Sequence, residues 1–473
     1  MQQTNVSRTS SVKERGLQAT FEALQSIVTP ARVSAALADR AQHGRDQSSY
    51  PEHLPDLIVW PQTTAEVSAV LRYANEKCLP VTAWGAGTSL EGNPIPIYGG
   101  IVLDFQLMNQ ILEIHPSDFQ VVVQPGVLYQ DMNRVLARYG LFFAPDPGAN
   151  ASIGGIVANN AAGIRTVKYG ATKDNVLALE VVLANGEVIR TGCRSVKQSS
   201  GYDLTHLFVG SEGTLGIVTE ATLKLAPLPE HFSAAVASFP TVNHAAEAVF
   251  SIIGAGLEPA ALELLDTTAV VMINDEEGID LVVRPHLFME FDGASEATLG
   301  EELTLIEAIC HDHRCQSYQA GVGRDARAKL WKARHQLLEI AVRKHPGHSY
   351  LLSDVAVPIS QYPTLVAYAA ETMTELGVDG LIVGHAGDGN MHTAIFFPPD
   401  DAAARAKAEQ VNSRLVERAL VLGGTSTGEH GVGLGKQEYM LQEHGEAALN
   451  LMRQLKATLD PNGILNPGKV LAL

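Results

Sequence analysis

The chain has 473 residues, of which 46% are hydrophobic and 18% are charged, and its formal net charge is -18 at pH 7. A chain of this size can bury a large core and is expected to form two or more domains. The excess of acidic residues repels phosphate groups and argues against nucleic acid as a partner, and no apolar run reaches the roughly 20 residues of a membrane span.

The first half of the chain alternates between predicted strands and helices. Residues 56–60 and 80–84 are short apolar strands, and Thr63 or Thr64 caps an intervening helix over residues 65–77. This pattern predicts a βαβ unit. The glycine-rich segment that follows has the spacing GxGxxxxG and continues into an Asn-Pro pair, which cannot open a helix. A Rossmann dinucleotide site is therefore not predicted.

Further strands and one helix are predicted before residue 226. The strands cover residues 101–105, 111–114, 120–123, 176–183, 188–191 and 217–225, and the helix covers residues 128–139. The Asn185-Gly186 pair between two of these strands predicts a tight hairpin.

Three clusters of small residues accompany these strands. They lie at residues 85–92, at residues 146–163, which we interpret as loop, and at residues 210–216. Each cluster by itself is compatible with ordinary turn glycines. Three of them within about 130 positions, each next to a predicted strand, favour a large anionic cofactor that is bound by backbone amides.

The sequence Ala226-Pro-Leu-Pro229 marks the clearest domain boundary. Beyond it, predicted strands at residues 233–239 and 287–291 mix with predicted helices at residues 245–253 and 295–309, which is an α+β pattern. A last helix over residues 449–459 leads into a turn-rich loop at residues 460–469.

The four cysteines, Cys78, Cys193, Cys310 and Cys315, are too few for a disulfide framework in a chain of this length, which favours a reducing compartment. The segment from Cys310 to Cys315 is interpreted as a polar helix end or loop in preference to a metal site. Residues 1–12 are rich in Ser and Thr, but no apolar segment follows them. This predicts no secretory signal and leaves a transit-like tail open.

His385 and His392 flank a glycine-rich turn between apolar runs at residues 380–383 and 393–397, so a hairpin would bring both imidazoles to one end of a sheet. Glu429 would complete a set of two histidines and one carboxylate that suits a divalent metal with open coordination positions. His430 beside it would remain available as a base. Because Glu429 is distant in sequence, spacing alone leaves a metal site and turn histidines bonded to backbone equally open.

Several motifs occur in an order that resembles one family. They are Trp84-Gly-Ala-Gly-Thr-Ser-Leu-Glu-Gly92, Ser152-Ile-Gly-Gly155, Gly210-Ser-Glu-Gly-Thr-Leu-Gly216, Gly384-His-Ala-Gly-Asp-Gly-Asn-Met-His392, Gly428-Glu-His-Gly431 and Leu465-Asn-Pro-Gly-Lys469. As a set they resemble the FAD-linked D-2-hydroxy-acid dehydrogenases, a family that includes cytochrome-linked D-lactate dehydrogenase, the glycolate oxidase FAD subunit and D-2-hydroxyglutarate dehydrogenase. The resemblance covers about residues 50–473.

The resemblance implies an α+β protein, in which an FAD-binding domain of the vanillyl-alcohol-oxidase or PCMH type precedes an α+β substrate (cap) domain. The implied limits are an N-terminal helical extension at residues 1–50, the FAD domain at 51–228, the substrate and metal domain at 229–440, and a C-terminal segment at 441–473 that returns to the FAD domain. Some members of that superfamily attach FAD through a histidine in the first glycine loop. No histidine lies between Trp84 and Asn93 here, so the FAD is expected to be non-covalent.

The FAD contacts that the resemblance implies fall in or directly beside the three clusters of small residues and at one C-terminal asparagine. They are Trp84, Gly85, Ala86, Gly87, Thr88, Ser89, Gly92, Asn93, Pro145, Gly148, Ser152, Gly154, Gly155, Asn159, Gly163, Gly210, Glu212, Gly213, Gly216, Ile217 and Asn466.

The resemblance also implies a divalent metal, zinc or manganese, on His385, His392 and Glu429. It implies catalytic roles for His430 as the general base and for Asn390 close to the metal. In this chemistry a metal bound to the substrate hydroxyl lowers its pKa, His430 takes the proton, and hydride passes from the substrate Cα to flavin N5.

Arg334 matches the family arginine that binds the substrate carboxylate, although without the resemblance a helix-surface arginine is the simpler interpretation. Hydroxyglutarate enzymes carry a lysine shortly before the position of Asp354, where this chain has the uncharged segment Ser349-Tyr-Leu-Leu-Ser353. We therefore expect an FAD-dependent enzyme that oxidises D-lactate, with glycolate or D-2-hydroxyglutarate as alternative substrates.

Two other classes of function are a metallohydrolase with the same ligands and a non-catalytic flavin-binding subunit. A purified protein that is yellow from bound flavin would exclude the metallohydrolase. The joint presence of three metal ligands and a base argues against the non-catalytic subunit. Because no iron–sulfur motif is present, electrons are expected to pass to a separate quinone, cytochrome or electron-transfer flavoprotein. The expected location is the cytoplasm, with the inner membrane surface or a eukaryotic mitochondrion as alternatives, and a homodimer is compatible with the sequence.

Overall fold

The computed structural model describes residues 16–278, 280–322, 331, 334 and 336–471. The chain divides into two compact units. The first unit is formed by residues 1–161, 171–228 and 429–473, and the second unit by residues 162–170 and 229–428.

The strands of the first unit agree with the predicted ones to within about one residue at each end. In chain order they are β1 (Val33–Ser34), β2 (Leu57–Val59), β3 (Val81–Trp84), β4 (Ile101–Asp104), β5 (Ile111–His115), β6 (Gln120–Val123), β7 (Leu141–Phe142), β8 (Val176–Val182), β9 (Val188–Gly192), β10 (Ile217–Lys224) and β11 (Ala226–Pro227), of which β1, β7 and β11 were not predicted. The α-helices are Leu17–Ile27, Leu37–Gln42, Thr64–Lys77, Tyr129–Leu136, Ile153–Asn159, Thr172–Asn175, Thr205–Phe208 and Met440–Leu459.

One sheet of this unit has the strand order β1-β2-β4-β3. Strands β2 and β3 both run parallel to β4, which lies between them. Helix Thr64–Lys77 connects β2 to β3, and the Thr63 side chain caps it by accepting a hydrogen bond from the Glu66 amide at 3.2 Å. The predicted βαβ unit is therefore confirmed, with β4 inserted between its two strands.

The second large sheet of this unit is antiparallel and has the order β5-β6-β10-β8-β9. The predicted hairpin joins β8 to β9 at Asn185-Gly186. Gly186 has a φ of 81°, and a Cβ there would lie 2.7 Å from the Ser68 carbonyl oxygen, so only glycine suits this turn. The hairpin prediction is confirmed.

Residues 146–163 were predicted to be loop, but part of this segment is helical. Residues Ile153–Asn159 form a helix that is capped by the Ser152 side chain. Its glycines lower the helix propensity, but the burial of apolar side chains such as Ile156 in the core outweighs that loss. A side chain at Gly154 would come within 2.7 Å of Pro125, so close packing requires a glycine there.

Both ends of the chain contribute to the β1-β2-β4-β3 sheet. The described part of the N-terminal segment holds helices, and it also supplies the edge strand β1, which pairs with β2. Near the other end, Leu465 bridges to Val81, and the Asn466 amide donates to the Val81 carbonyl oxygen at 2.8 Å. The last helix, Met440–Leu459, is longer than predicted and is interrupted at Gly445, whose φ is 74°.

The second unit contains one large sheet with helices. Its strands are β12 (His231–Ser238), β13 (Ala261–Leu265), β14 (His286–Gly293), β15 (Ser317–Val322), β16 (Ser349–Ala356), β17 (Gly380–His385) and β18 (Asn390–Phe397). The helices are Thr166–Tyr169, Val242–Gly254, Thr267–Glu277, Glu296–Asp312, Leu337–Lys344, Tyr362–Leu376 and Ala402–Val421. The predicted α+β pattern is confirmed, and so is the helix end before Cys315.

This sheet is antiparallel and has the strand order β15-β12-β14-β13-β17-β18-β16. The predicted hairpin is formed by β17 and β18, in which Val383 lies opposite His392. On the other side of β17, His385 lies opposite Glu263 of β13. Both predicted metal-binding histidines are therefore carried by central strands, which are rigidly placed by their neighbours.

The core of the second unit covers one face of these strands. Val383, Phe288 and Ala261 pack there with helices Thr267–Glu277 and Leu337–Lys344. Among the residues that the structure describes, no helix is both long and apolar enough to cross a membrane.

Candidate active site

The first and second glycine clusters lie against each other in the first unit. The chain leaves β3 at Trp84 and turns at Gly85, where a Cβ would come within 2.1 Å of the Ser152 hydroxyl oxygen. Gly87 has a φ of +69°, which favours glycine. The absence of a side chain at Gly85 lets the start of this loop lie next to the start of helix Ile153–Asn159.

The third cluster joins the same helix through backbone hydrogen bonds. The Gly210 amide donates to the Val157 carbonyl oxygen at 2.9 Å, and the Glu212 amide donates to that of Ala158 at 2.8 Å. Three segments that are far apart in sequence thus meet in one unit. A backbone surface lined by glycine fits the phosphate groups of a dinucleotide cofactor such as FAD.

All of the predicted FAD residues except Gly163 belong to the first unit. Gly163 lies in the segment 162–170 of the second unit, where its amide donates to the Thr166 hydroxyl oxygen at 3.0 Å. Asn466 lies beside the first and third clusters, because its side-chain amide donates to the carbonyl oxygens of Asn93 at 3.0 Å and Glu212 at 2.7 Å.

The carboxylate of Glu212 is buried and is bound by protein groups. It accepts hydrogen bonds from the Asn93 side chain at 2.7 Å, from the Val432 amide at 2.7 Å and from the Gly433 amide at 3.0 Å. Burial raises the pKa of Glu212, and these hydrogen bonds and the charge of Lys469 oppose that rise. Glu212 thus holds the segment that follows His430.

The predicted base, His430, is held through its main chain by two predicted FAD residues. The side-chain amides of Asn93 and Asn159 donate to the His430 carbonyl oxygen at 3.4 Å and 3.3 Å. Its imidazole Nε2 lies 3.9 Å from Glu429 Oε1. His430 and the glycine clusters therefore belong to one hydrogen-bonded arrangement within the first unit.

The two predicted metal-binding histidines are close together in the second unit. The ring centroids of His385 and His392 are 5.3 Å apart, and the rings are nearly perpendicular. The hairpin prediction therefore placed these two side chains correctly relative to each other. Two imidazoles at this separation can bind one ion between them.

Asp354 supports this pair from the neighbouring strand β16. Its Oδ1 lies 3.6 Å from His392 Nδ1 and accepts a hydrogen bond from the Asn390 side chain at 2.8 Å, while Oδ2 accepts one from the Thr427 hydroxyl at 2.8 Å. Asp354 is fully buried. The side-chain amide of Asn390 is thereby oriented by Asp354.

Sequence reasoning missed Glu263 of β13. Its Oε1 lies 2.8 Å from His385 Nδ1, and its Oε2 lies 2.5 Å from Arg334 Nη2. Burial raises the pKa of a carboxyl group, but the charges of His385 and Arg334 outweigh this and hold the pKa of Glu263 below its usual value. The available signal was one acidic residue within the otherwise apolar strand Ala261-Leu-Glu-Leu-Leu265.

Arg334 is not a helix-surface residue, which was the simpler interpretation of its sequence. It is 9% exposed and forms the ion pair with Glu263. A buried guanidinium near two histidines can bind a carboxylate with several hydrogen bonds at once. The positions of its neighbours at 332, 333 and 335 lie outside the described residues.

The last residue of the second unit, Gly428, lies against the same group of side chains. A Cβ at Gly428 would be 2.2 Å from Asn390 Nδ2 and 3.0 Å from Asp354 Oδ1. Glu429 follows directly in the chain, one peptide unit of about 3.8 Å away. Only a glycine therefore fits at position 428 beside these two side chains.

Comparison with known proteins identifies the class of protein that this fold and site define. Residues 228–470 match the C-terminal domain of FAD linked oxidases, and residues 55–192 match an FAD binding domain. The chain belongs to the FAD-linked oxidase family and is an FAD-dependent oxidoreductase. The expected cofactor FAD is thereby supported for this chain.

Relatives with assigned names make the family membership more specific. The chain is 40% identical over 470 residues to the probable mitochondrial D-lactate dehydrogenase of Danio rerio, covering 99% of this chain and 94% of the relative. It is 40% identical to the mitochondrial D-lactate dehydrogenase [cytochrome] of Arabidopsis thaliana, covering 92% of this chain and 76% of that protein. It is also 39% identical to the glycolate oxidase subunit GlcD of Bacillus subtilis, over 95% of this chain and 96% of that one.

Solved structures support the predicted fold. The 4-ethylphenol oxidase from Gulosibacter chungangensis superimposes with a TM-score of 0.78 at 20% identity, covering 98% of both chains. A substrate-bound p-cresol methylhydroxylase also gives a TM-score of 0.78, at 17% identity and with 98% of both chains covered. The FAD-binding fold of the vanillyl-alcohol-oxidase or PCMH type, combined with α+β architecture, is confirmed.

Proposed function

We propose that this oxidoreductase converts a D-2-hydroxy acid, most effectively D-lactate, to the 2-oxo acid. The observation that carries the proposal is the buried cluster in which Arg334, Glu263 and His385 meet, because it combines a carboxylate-binding group with a metal-binding group. The names of the relatives in plants and fish support D-lactate as the substrate. FAD would accept the hydride from the substrate Cα at its N5 atom.

Arg334 would bind the substrate carboxylate. Its planar guanidinium offers a fork of donors that matches the two oxygens of a carboxylate, which an ammonium group cannot do. The segment Ser349-Tyr-Leu-Leu-Ser353 lies on strand β16 and carries no cation for a second carboxylate. A monocarboxylic acid therefore suits this unit better than D-2-hydroxyglutarate.

A divalent metal, zinc or manganese, is proposed to bind His385, His392 and Glu429. The donor set fits such an ion, because His385 Nδ1 is bound by Glu263 and its Nε2 is then the natural ligand atom. When bound, the metal would lower the pKa of the substrate hydroxyl. Asn390 would contribute an amide oriented by Asp354.

His430 would take the proton of the substrate hydroxyl. Its main chain is bound by Asn93 and Asn159, so its position is restrained before the substrate arrives. A restrained imidazole suits general-base catalysis. The electrons would then leave the flavin for an external acceptor, a quinone, a cytochrome or an electron-transfer flavoprotein.

The relatives also bear on the location of the protein. Several of them are mitochondrial D-lactate dehydrogenases, and some carry the word cytochrome in their names. A cytoplasmic protein, a protein on the inner membrane surface, or a mitochondrial protein in a eukaryote would each be compatible with an external acceptor. A homodimer stays a prediction.

Anaerobic titration of the flavin tests the proposed substrate. D-lactate, L-lactate, glycolate and D-2-hydroxyglutarate are added separately, and the flavin absorbance is followed as it bleaches. We expect D-lactate to reduce the flavin fastest. Equal reduction by D- and L-lactate, or a clear preference for glycolate or for the dicarboxylate, would contradict the proposal.

A further inference from the structure

We propose that Glu263 is a positioning residue whose single carboxylate holds both the metal-binding histidine His385 and the substrate-binding Arg334. One oxygen serves each partner, so that metal binding and recognition of the substrate carboxylate depend on the same side chain. This inference rests on the proposed function, and it adds a residue that the sequence motifs do not include.

The geometry of Glu263 is defined by the sheet. Glu263 lies on β13, in register with His385 on β17 and with Phe288 on β14, so both neighbouring strands restrain its backbone. Oε1 lies 2.8 Å from His385 Nδ1, and Oε2 lies 2.5 Å from Arg334 Nη2. The two oxygens of one carboxylate thus contact two different functional groups.

The contact with His385 selects one form of the imidazole. A carboxylate only accepts hydrogen bonds, so the proton of a neutral His385 must be on Nδ1. The lone pair is then on Nε2, which can bind a metal ion. A carboxylate behind a metal-binding histidine also raises the basicity of that ligand.

The contact with Arg334 orients the guanidinium. Arg334 is 9% exposed, and Glu263 is the carboxylate paired with it in the described part of the chain. The Arg334 Nε atom and the Tyr362 hydroxyl are buried and have no hydrogen-bond partner among the described residues. A guanidinium held in this way is already oriented to donate hydrogen bonds to a substrate carboxylate. A mobile side chain would first have to be ordered when the substrate binds.

The pairing has a consequence for charge. The cluster contains a guanidinium and two imidazoles, and the carboxylates of Glu263 and Asp354 accompany them. Replacing the Glu263 carboxylate by a neutral amide would leave Arg334 without its ion partner. The NH2 group of the amide would also point at either the His385 imidazole or the Arg334 guanidinium, where an acceptor is needed. Both functions should therefore weaken together.

The test uses the full-length, FAD-loaded protein after removal of bound metal with a chelator. Titration calorimetry with ZnCl2 and with MnCl2 gives the metal Kd, and steady-state kinetics with D-lactate and an artificial electron acceptor gives KM and kcat. For Glu263→Gln we expect a metal Kd that is roughly 10 to 100-fold higher and a KM that is about 10-fold higher or more, with the flavin content retained.

Two further variants separate this role from a loss of folding. Asp266→Asn changes another buried acid of the second unit, whose oxygens accept the backbone amides of Ala269 and Ile382, and it should leave the metal Kd within about twofold. Arg334→Lys should raise KM and leave the metal Kd within the same range. An increase in the metal Kd of Asp266→Asn as large as that of Glu263→Gln would overturn the proposal.

The outcomes distinguish this inference from the proposed function. If the unmodified protein binds metal and Glu263→Gln leaves either the metal Kd or KM unchanged, the inference is overturned and the proposed function stands. If the unmodified protein binds neither ion and still oxidises D-lactate, the proposed metal and this inference are overturned, and the proposed substrate stands. If Glu263→Gln yields no folded protein, Glu263→Asp is measured in its place, because it keeps the charge but is one methylene shorter. An increase in both the metal Kd and KM would support the inference, and an unchanged value of either would overturn it.

Discussion

Replacing Glu212 by glutamine should misplace His430 without changing any side chain that reaches the substrate. The Glu212 carboxylate accepts three hydrogen bonds, from the Asn93 side chain and from the amides of Val432 and Gly433. In Glu212→Gln one carboxylate oxygen, a hydrogen-bond acceptor, is replaced by an NH2 group, which is a donor. This NH2 group then points at an N–H donor from which the oxygen had accepted a hydrogen bond. At least one hydrogen bond to a charged group is lost, and a buried donor is left unpaired.

The size of the effect follows from these contacts. A hydrogen bond to a charged group contributes about 1.5–3 kcal/mol, and an unpaired buried donor costs about 1–3 kcal/mol. A combined loss of about 3 kcal/mol for the 430–433 segment corresponds to a change of about 10²-fold in the population of its native arrangement. The rate of flavin reduction should fall by up to that factor, because a displaced base cannot take the substrate proton.

The assay is anaerobic stopped-flow reduction of the flavin by saturating D-lactate, with excess FAD in the buffer. The matched control is Glu220→Gln on β10, because Glu220 pairs with Arg190 near the surface at 2.9 Å, where an ion pair contributes about 0–1 kcal/mol. It should reduce its flavin at nearly the original rate. The reasoning is refuted if Glu212→Gln loses FAD but, once resaturated, reduces it at the original rate, since Glu212 would then act on the cofactor alone.

Four other predictions concern single groups of the two units. His430→Ala should keep its flavin and metal and lose on the order of 10² to 10⁴ in the rate of flavin reduction, measured by stopped-flow. Chelation, or His392→Ala, should abolish turnover in a steady-state assay while the protein stays yellow, because this histidine lies in the second unit. Arg334→Lys should raise the KM for D-lactate by about tenfold or more, because an ammonium cannot form the two-pronged contact. Burial raises the pKa of Asp266 to about 6, so the folded state holds the proton of this carboxyl group more tightly than the unfolded chain does. The free energy of unfolding should therefore fall by up to about 3 kcal/mol as the pH rises from about 4 to about 6. Denaturant titrations at several pH values measure this slope, and Asp266→Asn should remove it.

Each of these predictions has a contrary result. An unchanged rate in His430→Ala would assign the base to another group, and release of FAD together with the metal would contradict the separation of the two binding functions. A KM for Arg334→Lys equal to that of the unmodified protein would remove Arg334 from substrate binding. A free energy of unfolding that rises between pH 4 and 6 relative to Asp266→Asn would show that the Asp266 carboxyl is not destabilised by burial.

Most elements of the fold could be predicted from sequence because their signals are local. Strand β6 and helix Thr64–Lys77 were predicted from apolar spacing and a capping residue, and both are present. Helix Ile153–Asn159 was not predicted, because its glycines resemble a loop. Its stability comes from packing on Pro125 and in the core, which no local pattern contains.

The candidate site divides in the same way. The turn between β17 and β18 and both histidines lie within residues 384–392, so the local sequence predicts it, and hairpin pairing alone brings His385 and His392 together. Arg334 was singled out by resemblance, but its burial could not be inferred, because one arginine in a helical segment is normally exposed.

The sequence by itself determined the family, the glycine clusters and the histidine hairpin, since each depends on residues that are close together in the chain or on motifs in a set order. Only the tertiary structure decided that Glu263 serves His385 and Arg334. Glu263 and His385 are 122 positions apart in the sequence, and they meet because β13 lies next to β17 in the sheet. An acidic residue in an apolar strand signals that a buried partner is needed, but strand order, which arises from packing of the whole unit, selects that partner.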